Sequence, residues 1–211
     1  MRGMTRRSFA CRWRLRIKVT SKWLFTCSDL RDLQAAYAFR ALGAVGKPAI
    51  PDLADLISQS RSAIPAAIAL VGIGQDALPQ LAGALNSTNA RIRMAAVMGL
   101  GNYHEDAKRV VPLLVKALTD ESQFVRLNAA QALGKLGREP DIAVPALIQA
   151  LHDEVSGVRL SATLALGMFG RDANAALPAL RKLKEQENAD FMVAPVADQA
   201  VKRIQEESRD K

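Results

Sequence analysis

The side chains that could carry acid–base or metal chemistry are few in this sequence. It contains two histidines, and an acid follows each of them: Glu105 follows His104, and Asp153 follows His152. A zinc or iron site needs several such groups converging on one point, and these two pairs fall in different parts of the chain. We therefore expect no metal site and no catalytic acid–base pair.

Motifs for nucleophilic or phosphate chemistry are also missing. The sequence has no GxSxG, no glycine-rich phosphate loop and no CxxC, and its two cysteines are Cys11 and Cys27. This pattern supports neither a disulfide framework nor a zinc site, so we expect two ordinary reduced thiols. The sequence thus predicts no cofactor, no catalytic residue and a protein that is not an enzyme.

The charge of the chain is unevenly distributed. The net charge is +8, and eight Arg and Lys residues between positions 2 and 22 precede the first acid, Asp29. The remaining Arg and Lys residues equal the 21 acidic residues in number. We therefore interpret residues 1–28 as a basic, poorly ordered extension and residues 29–211 as the folded domain. Binding to nucleic acid or to an anionic membrane is expected, if at all, only through residues 2–22.

Composition predicts an all-α protein. Hydrophobic residues make up 49% of the 211 positions and aromatic residues only 5%, with alanine and leucine dominant, which favours closely packed helices. No apolar run reaches the roughly 18 residues that a membrane-spanning helix needs. We expect a cytoplasmic protein.

Internal repeats explain how the chain is organised. An apolar-Pro-x-Leu segment recurs, with its prolines at 51, 79, 112, 145 and 178, so that the last three steps are each 33 residues. Each segment predicts a short helix with proline in its first turn, where the missing N–H costs nothing. A second helix follows each one, as in VRLNAAQALGKLG at 125–137 and VRLSATLALGMFG at 158–170.

The second helices have a predicted core face and predicted ends. Apolar residues lie on one face of the copy at 125–137, namely Val125, Ala129, Ala132, Leu133 and Leu136. Glycines at 46, 74, 137 and 170 should supply the left-handed residue that ends a helix, with His104 in that place once. The sequence predicts a right-handed α-α superhelix of about five helix pairs, preceded by a single helix at about 30–46.

These letters resemble HEAT repeats, and in particular the short bacterial kind found in phycobilin lyase subunits, whose second helix reads VRxxAAxALGxIG. In that family an Asp six residues before the Arg of the second helix contributes to a ladder of charges between repeats. Asp120 with Arg126 and Asp153 with Arg159 fit this pattern. Ser87 takes the place of the acid before Arg93, so the resemblance implies a weaker rung there. We assign these charges a structural role.

The surface left after packing is the best candidate binding site. Positions 127, 131, 134 and 135 should point away from the core face, and the matching positions of three repeats are unusually apolar. They predict a concave groove for a protein partner, formed by Met94, Met98, Asn102, Leu127, Gln131, Lys135, Leu160, Leu164 and Met168. The alternative is that neighbouring second helices cover much of this stripe.

The predicted function is therefore a non-enzymatic scaffold or adaptor. Two other roles remain open at this stage. The resemblance to bilin lyases allows a chromophore lyase or a chaperone-like subunit, and other HEAT-like proteins allow an oxidoreductase-related role. The partner and the oligomeric state are not encoded in any motif of the sequence.

Overall fold

The structure, a computed structural model, describes residues 37–39, 41–59, 61–185 and 191–209. Within these ranges every regular element is a helix. The α-helices are α1 (Ile50–Ile57), α2 (Ala63–Ile73), α3 (Leu78–Ala84), α4 (Ala90–Leu100), α5 (Ala107–Ala117), α6 (Gln123–Leu136), α7 (Pro140–Ala150), α8 (Ser156–Phe169), α9 (Leu177–Glu185) and α10 (Val193–Arg209). Three 3-10 helices cover Gly43–Ala49, Gln75–Ala77 and Gly170–Ala176.

The helices form five stacked pairs. Odd-numbered helices are the first members and even-numbered helices the second members, and each helix contacts its own partner. Each second helix also contacts the second helix of the next pair. The predicted all-α superhelix is thus confirmed, with helical residues 37–39 and 41–42 before the first pair. The basic extension at 1–28, with its proposed role for residues 2–22, lies outside the described residues.

The core runs along the stack between first and second helices. Leu70, Leu100, Leu133 and Leu166 occupy the same position of successive second helices, and all four are fully buried. All five apolar residues predicted for the core face of the copy at 125–137 are buried. This prediction is confirmed because helical periodicity fixes which side chains share a face whatever the partner is.

The proline positions differ in part from the prediction. Prolines 51, 79 and 178 lie at the start of α1, α3 and α9, but Pro112 and Pro145 lie inside α5 and α7. These two helices begin a turn earlier, at Ala107 and Pro140. Each of these prolines is the sixth residue of its helix, so it lacks the N–H that would bond to the carbonyl four residues earlier, and each helix has one backbone hydrogen bond fewer.

The helix ends confirm the glycine prediction at three of five places. Gly74, Gly137 and Gly170 have positive φ angles directly after α2, α6 and α8. Gly46 does not, because it is buried inside a 3-10 helix and the positive φ falls on Gly43. His104 lacks a positive φ as well, because α4 already ends at Leu100.

Close contacts between second helices determine which side of the stack is inner. A Cβ on Gly134 of α6 would lie 2.7 Å from the Cα of Ala165 in α8, and one on Gly101 would lie 2.6 Å from the Cβ of Ala132. First helices are less tightly packed, and a cleft of about 440 Å³ separates α3 from α5. Because the stack is tighter along the second helices, these line its inner, concave face. The prediction that Gly134 points away from the core is wrong, since it is buried against α8.

Candidate functional site

A ladder of ion pairs joins neighbouring pairs of helices. Arg93 of α4 donates to both carboxylate oxygens of Asp120, each at 2.8 Å. In the next step Arg126 of α6 donates to Asp153 at 2.7 and 3.0 Å. Both arginines are buried, at 6% and 9% exposure, so the charges are shielded from water. Bidentate geometry of this kind strengthens the ion pair and also fixes the orientation of the two side chains.

The acid that binds each arginine comes from the following pair, 27 residues later. The arginine also binds the turn before its own helix, but through backbone carbonyls: Arg126 donates to the carbonyls of Asp120 and Glu121 at 2.9 and 3.2 Å. Each arginine thus clamps two successive turns together. Arg159 binds the carbonyls of Asp153 and Glu154 in the same way.

Ser87 therefore does not weaken the rung at Arg93, contrary to the expectation. Arg93 binds Asp120 and needs only the carbonyl of Ser87, at 2.9 Å. The rung that Ser87 would complete belongs to the preceding second helix, where Ala63 stands in place of arginine. The Ser87 hydroxyl still accepts the N–H of Asn89, as Asp120 accepts that of Ser122. Serine thus keeps the turn and loses only the charge.

The arginines set the ionisation of the two acids. Burial alone would raise the pKa of Asp153, but hydrogen bonds from Arg126 and from the backbone N–H of Val155 outweigh it and lower the pKa. The pKa of Asp120 is lowered for the same reasons, with Arg93 and Ser122 as donors. Both carboxylates are therefore charged at neutral pH, as a structural ion pair requires.

The inner face carries a largely apolar strip, which we call the inner stripe. It comprises the three inward positions of the second helices α2, α4, α6 and α8. Its members are Ile64, Ile68, Gly72, Met94, Met98, Asn102, Leu127, Gln131, Lys135, Leu160, Leu164 and Met168.

Coverage of the inner stripe varies along the stack. Towards α2 and α4 the neighbouring helices half-bury it, as they do Met94 and Met98. On α8 it is open, with Leu164 47% and Met168 49% exposed. Adjacent helices thus partly cover the first half of the inner stripe, and two large apolar side chains remain exposed on its last helix.

Polar contacts cross the inner stripe between α4 and α6. The Lys135 ammonium donates to the side-chain oxygen of Asn102, and the Asn102 amide donates to the carbonyl of Met98 at 2.7 Å. These two bonds orient the amide and hold the lysine over the gap between the helices. Farther along, the Gln131 amide lies 3.5 Å from the Ser161 hydroxyl on α8.

Metal-ligating side chains do not form a cluster in the described part of the chain. No cluster of three or more His, Cys, Asp or Glu side chains is found there. His104 and His152 are both exposed, the first after α4 and the second after α7. None of the helices described is both long and apolar enough to span a bilayer.

Comparison with known proteins identifies the repeats. The sequence pattern of HEAT repeats matches residues 78–144 and again 111–197, which together span more than half of the chain. The chain belongs to the HEAT-repeat family. No curated protein matches the sequence.

Solved HEAT and armadillo-type structures share the fold. One chain from the structure of the complex of CpcE and CpcF of phycocyanin lyase from Nostoc sp. PCC7120 is similar, with a TM-score of 0.63 and 24% identity; the match covers 72% of this chain and 98% of that chain. An engineered protein is similar with a TM-score of 0.58 and 26% identity, and the match covers 84% of this chain and 88% of that protein. A designed armadillo repeat protein in complex with the peptide (KR)4 is similar with a TM-score of 0.56 and 20% identity. The match covers 82% of this chain and 91% of that protein.

The first HEAT repeat adds three residues, Ile64, Ile68 and Gly72, that sequence reasoning missed. Ile64 and Ile68 of α2 extend the inner stripe by one repeat and are half-buried. The signal was present, because α2 reads AIPAAIALVGI and has no polar side chain on any face. A helix that is apolar all round must be covered on all sides or offer an apolar surface for binding.

Proposed function

We propose that this HEAT-repeat protein is a non-enzymatic scaffold that binds a segment of another protein along its inner stripe. The observation that carries the proposal is the exposure of Leu164 and Met168, each about one half, on the inner face of α8. They continue a strip whose other members are mostly Ile, Leu and Met, and an exposed apolar strip of this kind is typical of an interaction site.

Two further observations support a protein partner. The inner face holds no cluster of metal-binding side chains among the described residues. In addition, one protein of similar fold was solved with a peptide bound, and another is a complex of two different chains. A curved stack of helices offers a long surface that suits extended partners.

A matched pair of variants tests the proposal. Leu164→Asp places a charge on the inner stripe, and Ile142→Asp places one on α7, at a residue with a similar exposed fraction. Because both side chains are exposed, both variants should fold. A protein captured from the native cell by the unchanged chain should be retained by Ile142→Asp and lost by Leu164→Asp. Equal retention by the two variants would exclude the inner stripe as the site.

The rival reading as a chromophore lyase or an oxidoreductase-related protein has its own test. The purified protein is incubated with an open-chain tetrapyrrole, its absorbance spectrum is recorded, and its metal content is measured. Under the proposal neither a shifted tetrapyrrole band nor bound iron should be found. A stoichiometric shift or stoichiometric iron would contradict the assignment as a scaffold.

A further inference from the structure

One cation lies on the inner stripe, at the last of the three positions that α6 contributes. Of its twelve residues only Lys135 carries a formal charge, and its hydrogen-bond partner is the neutral amide of Asn102. No carboxylate of the described residues forms an ion pair with it, whereas Arg93 and Arg126 on the same helices are both paired. A lysine ammonium has three donors, so donors remain for an incoming acceptor.

The surroundings of Lys135 hold the cation in place. The bond from Asn102 to the carbonyl of Met98 fixes the amide that receives the lysine. On the other side the Met168 sulfur lies against α6, 3.3 Å from where a Cβ of Gly134 would be. The lysine is thus held by a polar amide on the α4 side, and the α8 side presents exposed Leu164 and Met168. A preorganised charge beside an apolar surface loses little freedom when a partner binds.

Building on the proposed function, we infer that the segment bound by the inner stripe carries an aspartate or glutamate that pairs with Lys135, and a large apolar residue that packs on α8 beside it. Packed helices lie about 8–10 Å apart, so the exposed Leu164 and Met168 on α8 lie about that far from α6. An extended chain covers this distance in about three residues. The expected pattern is an acid with a large apolar residue three positions away from it.

An extended conformation also fits the polar groups of the stripe. An extended segment leaves backbone N–H and carbonyl groups without partners of its own. Gln131 is exposed midway between Leu127 and Lys135, so its amide can meet such groups. A helical segment would bring few free backbone groups to it.

The test begins with peptide selection on the full-length protein. Random twelve-residue peptides displayed on phage are selected against the unchanged chain, and an enriched peptide is synthesised with a fluorescent label for measurement of its Kd. We expect the enriched peptides to contain the acid with a large apolar residue three positions away from it. Lys135→Met should weaken binding about tenfold, as expected for loss of a charged hydrogen bond.

Charge reversal and a control cation make the result specific. Lys135→Glu should lose the acidic peptide and regain binding when the acid of the peptide is changed to lysine. Arg138→Met removes an exposed cation three residues farther on, outside the stripe, and should leave the Kd unchanged. Thermal melts of each variant check that it is folded.

The outcomes separate this inference from the proposed function. If enriched peptides lose binding with Leu164→Asp but bind Lys135→Met unchanged, the inference is overturned and the scaffold function stands. If no selected peptide responds to Leu164→Asp, the inner stripe does not bind peptides and both proposals fall.

Discussion

The guanidinium of Arg126 on α6 lies 2.7 Å from the carboxylate of Asp153, which belongs to the following HEAT repeat. Both side chains are about nine-tenths buried. Removing one partner from such a pair leaves a buried charge without its counterion, which costs more than the pair itself contributes. The pair therefore ties the stability of one repeat to that of the next.

Replacing the acid by its amide should reveal this coupling. Asp153→Asn keeps an oxygen to accept the N–H of Val155, so the turn is retained, whereas the charge and the hydrogen bond from Arg126 Nε are lost. We expect the free energy of unfolding to fall by about 2–4 kcal/mol in urea denaturation. Glu154→Gln is the control, because that side chain is 84% exposed and its contact with Arg126 is longer, at 3.4 Å. If the two changes lowered the free energy of unfolding equally, the buried pair would contribute no more to stability than the exposed contact does.

Acidification should weaken the fold through the same carboxylates. The pKa values of Asp120 and Asp153 are lowered in the folded state, so near these pKa values the folded protein binds fewer protons than the unfolded protein does. Their contribution is complete above the unfolded pKa of about 3.9 and is lost as the pH falls through the lower folded values. Melting temperatures should therefore drop below about pH 4. The double variant Asp120→Asn, Asp153→Asn should show a shallower drop, and an identical pH profile would contradict the assignment.

A charge on the core face should be far more costly than a change on the inner stripe. Leu133 and Leu166 are fully buried, so Leu133→Asp or Leu166→Asp should cost on the order of 3 kcal/mol or more by burying an unpaired carboxylate. Gln131 is exposed and its bond to Ser161 is long, so Gln131→Ala should change the melting temperature little. If the leucine and glutamine variants have the same melting temperature, the assignment of faces is wrong.

The glycines of the second helices should not tolerate alanine. A Cβ at Gly134 would lie 2.7 Å from backbone and 2.8 Å from side chain of Ala165, so Gly134→Ala should force α6 and α8 apart and cost about 1–3 kcal/mol. Gly83 in α3 has open space around its Cβ position, so Gly83→Ala should stabilise the protein by up to about 1 kcal/mol. Denaturation curves with opposite shifts are the expected result, and shifts of the same sign would contradict the close approach.

Tyr103 should be replaceable by phenylalanine without loss. Its ring fills a core position at 3% exposure, and its hydroxyl has no hydrogen-bond partner among the described residues. Burial and the nearby acids Glu105 and Asp106 raise its pKa to about 12, so the hydroxyl stays neutral. Tyr103→Phe should be neutral or stabilising by about 1 kcal/mol. Tyr103→Ala, the control, should destabilise by several kcal/mol through the cavity it leaves. A loss with phenylalanine comparable to that with alanine would show that the hydroxyl is bonded.

The sequence by itself determined the helix pairs, their period and the core face of the second helices. These features depend on side chains a few positions apart, such as Leu133 and Leu136, whose shared face follows from helical geometry alone. It also predicted nine residues of the inner stripe, because the sequence repeats show which residues occupy equivalent positions in successive second helices. Whether a partner binds there remains a prediction.

Only the tertiary structure decided how one repeat meets the next. Arg93 binds Asp120 because stacked repeats are offset so that the following turn lies over the arginine, and no local pattern encodes that offset. Gly134 is buried for the same reason, since α8 approaches α6 at this point. The exposure of the inner stripe likewise depends on the distances between helices that are far apart in sequence. Met94 is half-buried, whereas Met168 is exposed.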